Sequence, residues 1–302
     1  MRTCLRKIGI VAAIAVIVIA GCKNTAEEDK KTGTSNPPEG FVEVPRTSIA
    51  GTESWIPSSE VFVSGRVLEI NSFYMSDHEV TRAEYKEVIG SGPSTADAYD
   101  KDGHKLTGDA AGKNPVNEVS WYDALVYCNK LSIKESLTPC YTINGSTNPD
   151  DWGAVPTSSD STWNAATCDF DADGYRLPTE AEWEWAARGG ENCTYAGSDN
   201  IDEVAWYTSN TNDTGTRDVK TKKENGYGLY DMSGNVWEWC WDRYGNISNT
   251  TPNTGSASGS GRCLRGGSWF HSASYAQVAS RRGNDPYDRN YYYGFRLVRS
   301  AH

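Results

Sequence analysis

The sequence predicts an α+β domain in which irregular backbone outweighs helix and strand. Three helix starts stand out, each a Ser or Thr followed three residues later by an acid, and the apolar runs between them are short. Gly, Asn, Ser and Asp fill the stretches between these runs. Loops of this extent are uncommon in a compact domain, so we expect them to be ordered by disulfides, by a metal ion or by a fold built around loops.

The predicted helices begin with capping boxes at Thr81 to Glu84, Ser120 to Asp123 and Thr179 to Glu182. After the second start, apolar residues recur three and four positions apart, which is typical of a helix with one face in the core. Gly189 is the predicted end of the third helix. The runs that predict strands are residues 41–44, 61–70 and 295–298.

The N-terminus predicts export. Arg2, Arg6 and Lys7 precede an apolar run at 8–20, which is shorter than the ~20 residues of a spanning helix. The small residues that lead into Cys22 resemble the bacterial lipobox, which would make Cys22 the lipidated first residue of the mature protein. A plain signal peptide or an uncleaved anchor is the alternative. We therefore expect a signal peptide at 1–21, a flexible tether at 22–40, a domain at 41–302 and a location at the bacterial outer membrane or cell surface.

The charge and the aromatic content limit the partners. A formal net charge of -11 repels phosphate backbones, and no cluster of Lys and Arg reverses it locally, which argues against nucleic acid. The chain holds 17 Tyr and 11 Trp but few Phe and Met. Rings with one polar atom suit binding surfaces that stay wet.

The cysteines after the tether are candidates for disulfides in an exported domain. Cys140 and Cys168 flank a polar loop, and we favour that pair. Cys128 lies on the core-facing side of the second predicted helix, where an unpaired buried thiol is equally expected. The remaining cysteines are Cys193, Cys240 and Cys263.

Several collinear segments resemble the formylglycine-generating-enzyme, or sulfatase-modifying-factor, family. They are FYM (73–75) with EVT (79–81), PVNEVSW (115–121), YRLPTEAEWE (175–184), NGYGLYDMSGNVWEW (225–239), RGGSW (265–269) and GFRL (294–297). The resemblance covers nearly the whole chain after the tether. It implies a variant of the C-type lectin fold.

The enzymes of this family use a copper-binding cysteine pair, one member two residues after the tryptophan of the GGSW motif and the other five residues further on. This chain has His271 and Ala276 at those positions, and no cysteine follows Cys263. Thiolate is the soft ligand that copper(I) prefers, and neither replacement supplies it. We therefore predict a non-enzymatic protein. The alternative is a copper-dependent oxidase that generates formylglycine on sulfatases.

The C-terminal segment, about residues 265–298, resembles the variable region of diversity-generating-retroelement target proteins, of the type of the Treponema variable lipoproteins. In that family, adenine-directed errors at Asn codons such as AAC reach Phe, His, Ser, Tyr, Asp and Gly. The resemblance implies ligand-binding positions at Phe270, His271, Ser272, Ser274, Tyr275, Ser280, Asn284, Asp285, Asp288, Asn290, Tyr291, Tyr292 and Tyr293. It implies an unvaried framework at Ala273, Ala276, Gln277, Val278, Ala279, Arg281, Pro286, Arg289 and Gly294.

Elementary chemistry supports a binding face in the same segment. Tyr, His, Asn, Ser and Asp are the residues of antibody-like surfaces, where rigid rings give contact area and short polar groups adapt their hydrogen bonds. Three successive tyrosines, 291–293, cannot all point inward, although they could still cover an edge of the core. We expect an unidentified protein or glycan ligand on host or neighbouring cells. The sugar-binding triplets of calcium-dependent lectins are absent from the sequence.

Two calcium sites are conceivable, and no other cofactor is predicted. Asp169 to Glu180 matches the spacing of an EF-hand loop, but Arg176 and Pro178 interrupt it, so we favour a turn rich in Asx bonds. Asp231 and Glu238 match positions at which the family enzymes bind calcium. Structural carboxylates are the alternative at both places.

Overall fold

A computed structural model describes residues 36–56, 59–256, 258–259 and 261–301. The predicted signal peptide, Cys22 and most of the tether lie outside the described residues. Among the residues that are described, no helix combines the length and the apolar character needed to cross a membrane.

The three predicted helices form where their capping boxes place them. Thr81, Ser120 and Thr179 each accept a hydrogen bond from the backbone N–H three residues on, and the acid there bonds back to the cap. Gly189 ends the third of them in the left-handed region. The α-helices are α1 (Arg82–Ile89), α2 (Trp121–Lys134), α3 (Ser161–Asn164), α4 (Glu180–Arg188), α5 (Ile201–Val204) and α6 (Thr208–Thr211), with 3-10 helices at Gly108–Lys113, Pro149–Asp151 and Ala273–Ala276.

The strands are short, as the brief apolar runs predict. They are β1 (Phe41–Val44), β2 (Thr47–Ile49), β3 (Leu68–Ile70), β4 (Phe73–Ser76), β5 (Ala98–Tyr99), β6 (Lys105–Leu106), β7 (Tyr141–Thr142), β8 (Thr167–Cys168), β9 (Tyr175–Arg176), β10 (Ala205–Trp206), β11 (Thr216–Arg217), β12 (Ser233–Gly234), β13 (Trp237–Arg243), β14 (Arg262–Arg265), β15 (Arg281–Asn284), β16 (Tyr293–Gly294) and β17 (Val298–Ser300).

Two four-stranded sheets organise the described domain. One has the antiparallel order β1-β4-β17-β9, so the first and last strands of the domain lie in the same sheet. The other has the order β15-β14-β13-β16, in which only the β13–β16 pair is parallel. We call the second one the site sheet, because the predicted variable region supplies two of its strands.

Two of the predicted strands are wrong over most of their length. In residues 61–70 only Leu68–Ile70 forms a strand, because the chain turns through Gly65 at a φ of 75° and Arg66 donates to the Val61 carbonyl instead. In residues 295–298 the backbone makes isolated hydrogen bonds, such as the one that Val80 N–H donates to the Phe295 carbonyl. A regular ladder begins only at Val298. Val61, Phe62, Phe295 and Leu297 are buried outside a regular ladder, so burial and not strand pairing accounts for these apolar residues.

The predicted disulfide is also wrong, because Cys140 and Cys168 are both free thiols in the structure. Cys168 is opposite Tyr141 in the β7–β8 pair, one residue out of register with Cys140. The other cysteines of the described domain are free as well. Burial raises the pKa of the Cys128 thiol well above its ordinary value, which agrees with the expectation of an inert core thiol.

The two faces of the site sheet differ sharply in chemistry. Cross-strand partners share a face, so Trp239, Leu264 and Arg282 lie on one side, whereas Glu238, Arg265 and Arg281 lie on the other. The first side carries the aromatic core residues. The second side packs on α4 through buried ion pairs.

These ion pairs use one face of α4, where residues three and four apart are neighbours. Glu180 accepts from Arg281 at 2.6 and 2.7 Å, and Glu184 accepts from Arg265 at 2.7 Å. Trp183 Nε1 donates to Glu238 at 2.7 Å. Each of the two arginines on the sheet therefore meets a glutamate on the helix, which a buried charge requires.

The Glu238–Arg296 pair joins this network to the end of the chain. Arg296 Nε and Nη2 donate to the two oxygens of Glu238 at 2.7 and 2.8 Å, and both side chains are fully buried. We expect Arg296→Met to lower the free energy of unfolding by about 3–5 kcal/mol, because Glu238 loses its buried partner. Denaturant unfolding measures this loss.

A matched control is Arg46→Gln, whose guanidinium is 75% exposed and lies 4.0 Å from Glu69. The free energy of unfolding of that variant should lie within about 0.5 kcal/mol of the value for the parent chain. Equal losses in both variants would mean that the buried pair contributes nothing beyond a surface charge.

Candidate functional site

The predicted ligand-binding rings come together from two separate segments. Phe270 and Tyr292 are parallel, with 5.9 Å between their centroids, and Tyr291 lies edge-on to both at 5.5 and 4.7 Å. His271 contacts Tyr292 at 4.8 Å and Tyr275 at 5.3 Å. Such edge-to-face and offset contacts are the favourable ones for aromatic pairs. We call these five residues the ring cluster.

The ring cluster reaches solvent. Phe270 is 41% exposed and Tyr275 is 44% exposed, while His271, Tyr291 and Tyr292 are half-buried. Around them Ser272 and Ser274 are exposed, and Ser280, Asn284, Asp285, Asp288 and Asn290 are half-buried. Nearly all the predicted positions are thus accessible to a ligand.

Tyr293 is the exception, and the expectation that it faces a ligand is wrong. Its side chain is 1% exposed, and its ring contacts Trp239 at 5.3 Å. Its hydroxyl accepts from the Asn284 amide at 2.7 Å. Strand β16 pairs with β13, and this pairing turns Tyr293 into the core while its two predecessors stay in the loop.

Backbone hydrogen bonds hold the two segments that carry the ring cluster. The carbonyls of Asn290 and Tyr292 accept from the N–H groups of Glu118 and Trp237 at 2.9 and 2.8 Å. In the other segment the His271 carbonyl accepts from Thr208 N–H at 3.1 Å. Main-chain bonds do not depend on the side chain at the bonded residue, so side chains can be replaced without loosening the loop.

The ends of the variable segment are fixed by buried residues. Trp269 is 5% exposed and Phe295 is fully buried. Of the framework residues, Ala276, Val278, Pro286 and Gly294 are buried. Arg289 bonds Asp123 at the start of α2, which ties the loop to that helix.

The His271 imidazole connects two polar side chains, Ser268 and Arg282. Its Nδ1 is 2.7 Å from Ser268 Oγ, and its Nε2 is 3.0 Å from Arg282 Nη1. A guanidinium can only donate, so Nε2 accepts and the ring proton lies on Nδ1. Burial, together with the charge of Arg282, lowers the pKa of His271 to about 4, so the imidazole is neutral at physiological pH.

Arg282 is a member of the site that sequence reasoning missed. It follows Arg281 on β15, and alternation along the strand sends Arg281 to Glu180 and Arg282 to the ring cluster. The Arg282 guanidinium lies 5.9 Å from the Trp237 ring and 6.0 Å from the Tyr292 ring. The adjacent pair Arg281 and Arg282 was the signal in the sequence that could have revealed Arg282, because neighbouring residues on a strand face opposite sides.

The EF-hand alternative does not fit the structure. Glu180, which would be the last ligand, is fully buried and binds Arg281 and Arg265. Asp169 instead accepts from the Asp171 backbone N–H at 2.9 Å, which is the predicted Asx turn. Residues 169–180 therefore match the spacing of an EF-hand loop but do not adopt its geometry.

Asp231 and Glu238 do not share an ion site either. Both oxygens of Glu238 are bonded by Arg296, and Trp183 adds a third donor. One oxygen of Asp231 accepts from Lys220 N–H, and the other is buried without a partner. Burial raises the pKa of Asp231 to about 6. Among the described residues, the acidic cluster Asp100–Asp102–His104 lies in an exposed turn whose own backbone N–H groups occupy Asp100.

The residues of this chain do not fit the copper ion that the enzyme family binds. Ala276 is buried and has no donor atom, and His271 is occupied on both nitrogens. Cys263 lies on the opposite side of the site sheet, where its thiol contacts Glu180 at 3.2 Å. Burial and that carboxylate raise the pKa of the Cys263 thiol well above its ordinary value, so it does not supply a thiolate.

This architecture defines a C-type-lectin-like domain of the formylglycine-generating-enzyme type, with short strands and ordered loops around a few helices. The chain belongs to the family described as the sulfatase-modifying factor enzyme 1-like domain, whose model matches residues 26–301. The fold class expected from the sequence is thereby confirmed.

Three similar proteins carry different names. The solved structure of Treponema denticola variable protein 1 matches with a TM-score of 0.74 and 38% identity, over 86% of this chain and 94% of that one. The chaperone protein LppX of Paenibacillus barcinonensis is 37% identical over 80% of this chain and 85% of the relative. The formylglycine-generating enzyme of Streptomyces coelicolor is 40% identical over 46% of this chain and 51% of the enzyme. Both resemblances seen in the sequence, to variable proteins and to the enzyme family, are confirmed.

The state of His271 can be read directly by NMR. Its ring nitrogens should keep the signals of neutral imidazole until the pH approaches about 4, because burial and Arg282 disfavour the cation. Exposed His104, bonded to Asp100, has a raised pKa and serves as an internal reference in the same spectrum. The unfolded chain takes up this proton near pH 6.5, so stability should fall as the pH drops from 6.5 towards 4. A midpoint near 6.5 for His271 would contradict the described burial.

Proposed function

We propose that this chain is a lipid-anchored, surface-displayed binding protein whose ring cluster and neighbouring polar residues form a changeable ligand site. The observation that carries the proposal is the exposed ring cluster on loops whose backbone bonds are independent of those rings. Aromatic anchors within a polar surround are the usual source of affinity in binding surfaces.

The separation of frame and face supports a site that tolerates replacement. The frame consists of the site sheet, its ion pairs with α4 and the buried ends of the variable segment. The face consists of Phe270, Tyr275, Tyr291 and Tyr292 with the serines between them. A change on the face alters what is bound, and it leaves the frame in place.

Two of the three relatives support binding rather than catalysis. One of them is named a variable protein and another a chaperone, and a chaperone binds other proteins. The site lacks the thiol chemistry of the enzymes, since His271 and Ala276 occupy the positions of the cysteine pair. Formylglycine formed on a sulfatase cysteine peptide in the presence of copper would overturn this part of the proposal.

The lipid anchor rests on the sequence before residue 23. Cys22 after a short apolar run supports attachment to the outer membrane or cell surface, with the tether leading to the first described strand. We therefore assign the ligand to a host or neighbouring cell.

The frame and the face should differ in their tolerance of substitution. Phe270→Ser and Tyr275→Ser should change the free energy of unfolding by less than about 1 kcal/mol, because these residues are 41% and 44% exposed. Tyr293→Ser should cost about 3–5 kcal/mol, because its ring is buried against Trp239. Denaturant unfolding of the three variants measures the difference, and similar losses in all three would remove the distinction.

The gene itself offers an independent test. Sequences of this locus from sister isolates should differ mainly between codons 270 and 292, while codon 293 and the codons of Glu180, Arg281 and Arg296 stay constant. A template copy rich in AAC beside a reverse transcriptase would accompany such variation. Differences spread evenly along the chain would contradict a changeable site.

A further inference from the structure

The arginines of the variable segment are not equivalent. Arg281 binds both oxygens of Glu180, and Arg289 binds both oxygens of Asp123. Arg282 has no ion pair with any carboxylate in the described part of the chain, although the protein carries a net charge of -11. A half-buried arginine at the ring cluster is thus left without an anionic partner in the described part of the chain.

Arg282 also has donors to spare. A guanidinium carries five N–H groups. One of them, on Nη1, is directed at His271 Nε2, with 3.0 Å between the two nitrogens, and no other hydrogen bond joins the Arg282 side chain to a described residue. Arg217, which also lacks a carboxylate, instead donates to three backbone carbonyls and to Thr214.

The donors of Arg282 are held in position. His271 Nε2 accepts a hydrogen bond from Arg282 Nη1, and Nδ1–H of the same imidazole donates to Ser268 Oγ. The flat guanidinium lies near the rings of Trp237 and Tyr292, which restricts its rotation. A fixed fork of donors loses little entropy when it binds a carboxylate.

We propose that the face recognises a protein partner through an Asp or Glu side chain that binds Arg282 while an adjacent apolar side chain packs on Phe270 and Tyr292. This inference rests on the proposed binding function and names the ligand chemistry of the same site. A carboxylate fits because its two oxygens match the fork of the guanidinium. Ring faces and edges supply the apolar contact that surrounds such an anchor.

The polar groups of the face favour a protein loop over a sugar. Asn284 is bonded to the Tyr293 hydroxyl, and Asp285 accepts from Tyr287 at 2.8 Å. His271 is used on both nitrogens. A sugar has many hydroxyls that need partners, and these three side chains already form hydrogen bonds within the protein. An acidic side chain beside an apolar one needs only the arginine and the rings.

The test compares two blocked peptides on the purified full-length chain. One is N-acetyl-Phe-Glu-Phe-amide, and the other has Gln in place of Glu, so only the charge differs. Binding is followed by NMR through the imidazole signals of His271. We expect the Glu peptide to bind at least about tenfold more tightly than the Gln peptide, and the preference to weaken as salt is added.

Variants connect the preference to Arg282. Arg282→Gln should bring the two peptides to equal affinity, and Arg282→Lys should keep a reduced preference, because it retains the charge without the fork. Arg46→Gln removes the same charge from an exposed site outside the face and should keep the full preference. A preference that survives Arg282→Gln would overturn the inference.

The remaining outcomes separate this inference from the proposed function. Equal binding of both peptides by the parent chain would remove the carboxylate preference but leave a ligand-binding face. Binding of neither peptide would count against the face as well as against Arg282. N-acetylneuraminate serves as the acidic sugar, and if it bound as tightly as the Glu peptide the assignment to a protein partner would be wrong.

Discussion

The contact between α4 and the site sheet is the constraint on which the rest of the structure depends. Glutamates one turn apart on the helix meet arginines from β14 and β15, and all of these side chains are buried or nearly so. A slip of one residue on β15 would exchange the two sides of the strand, so Arg281 would leave Glu180 for the aromatic side. The pairing of Arg281 with Glu180 therefore belongs to the register in which Arg282 faces the ring cluster.

That register decides what reaches the binding face. With Arg281 held by Glu180, Arg282 must lie among the rings, and His271 then has a donor on one nitrogen and a hydroxyl on the other. The loops above the sheet are closed by main-chain bonds to α2, α6 and β13. Ion pairs hold the site sheet on the α4 side, and main-chain hydrogen bonds hold the loops on the other side, so the path of the loop backbone does not rest on the exposed side chains.

Much of the fold could be predicted from local signals. The capping boxes gave the starts of α1, α2 and α4, since a cap is a property of four consecutive residues. The strand at 61–70 and the disulfide failed because burial and pairing depend on partners far away in the chain. For the site, composition located the exposed rings correctly. It could not separate Tyr293 from Tyr291 and Tyr292, because only the parallel pairing of β16 with β13 turns that one ring inward.

The buried position of Tyr293 has a consequence for how the gene can vary. A mechanism that rewrites a segment of a gene evenly treats codon 293 like its neighbours, and every copy that loses this ring opens a cavity against Trp239. Under such a mechanism, this one interior residue at the end of the segment would limit the yield of folded products. Rewriting that spares this codon would give more functional offspring for the same number of changes.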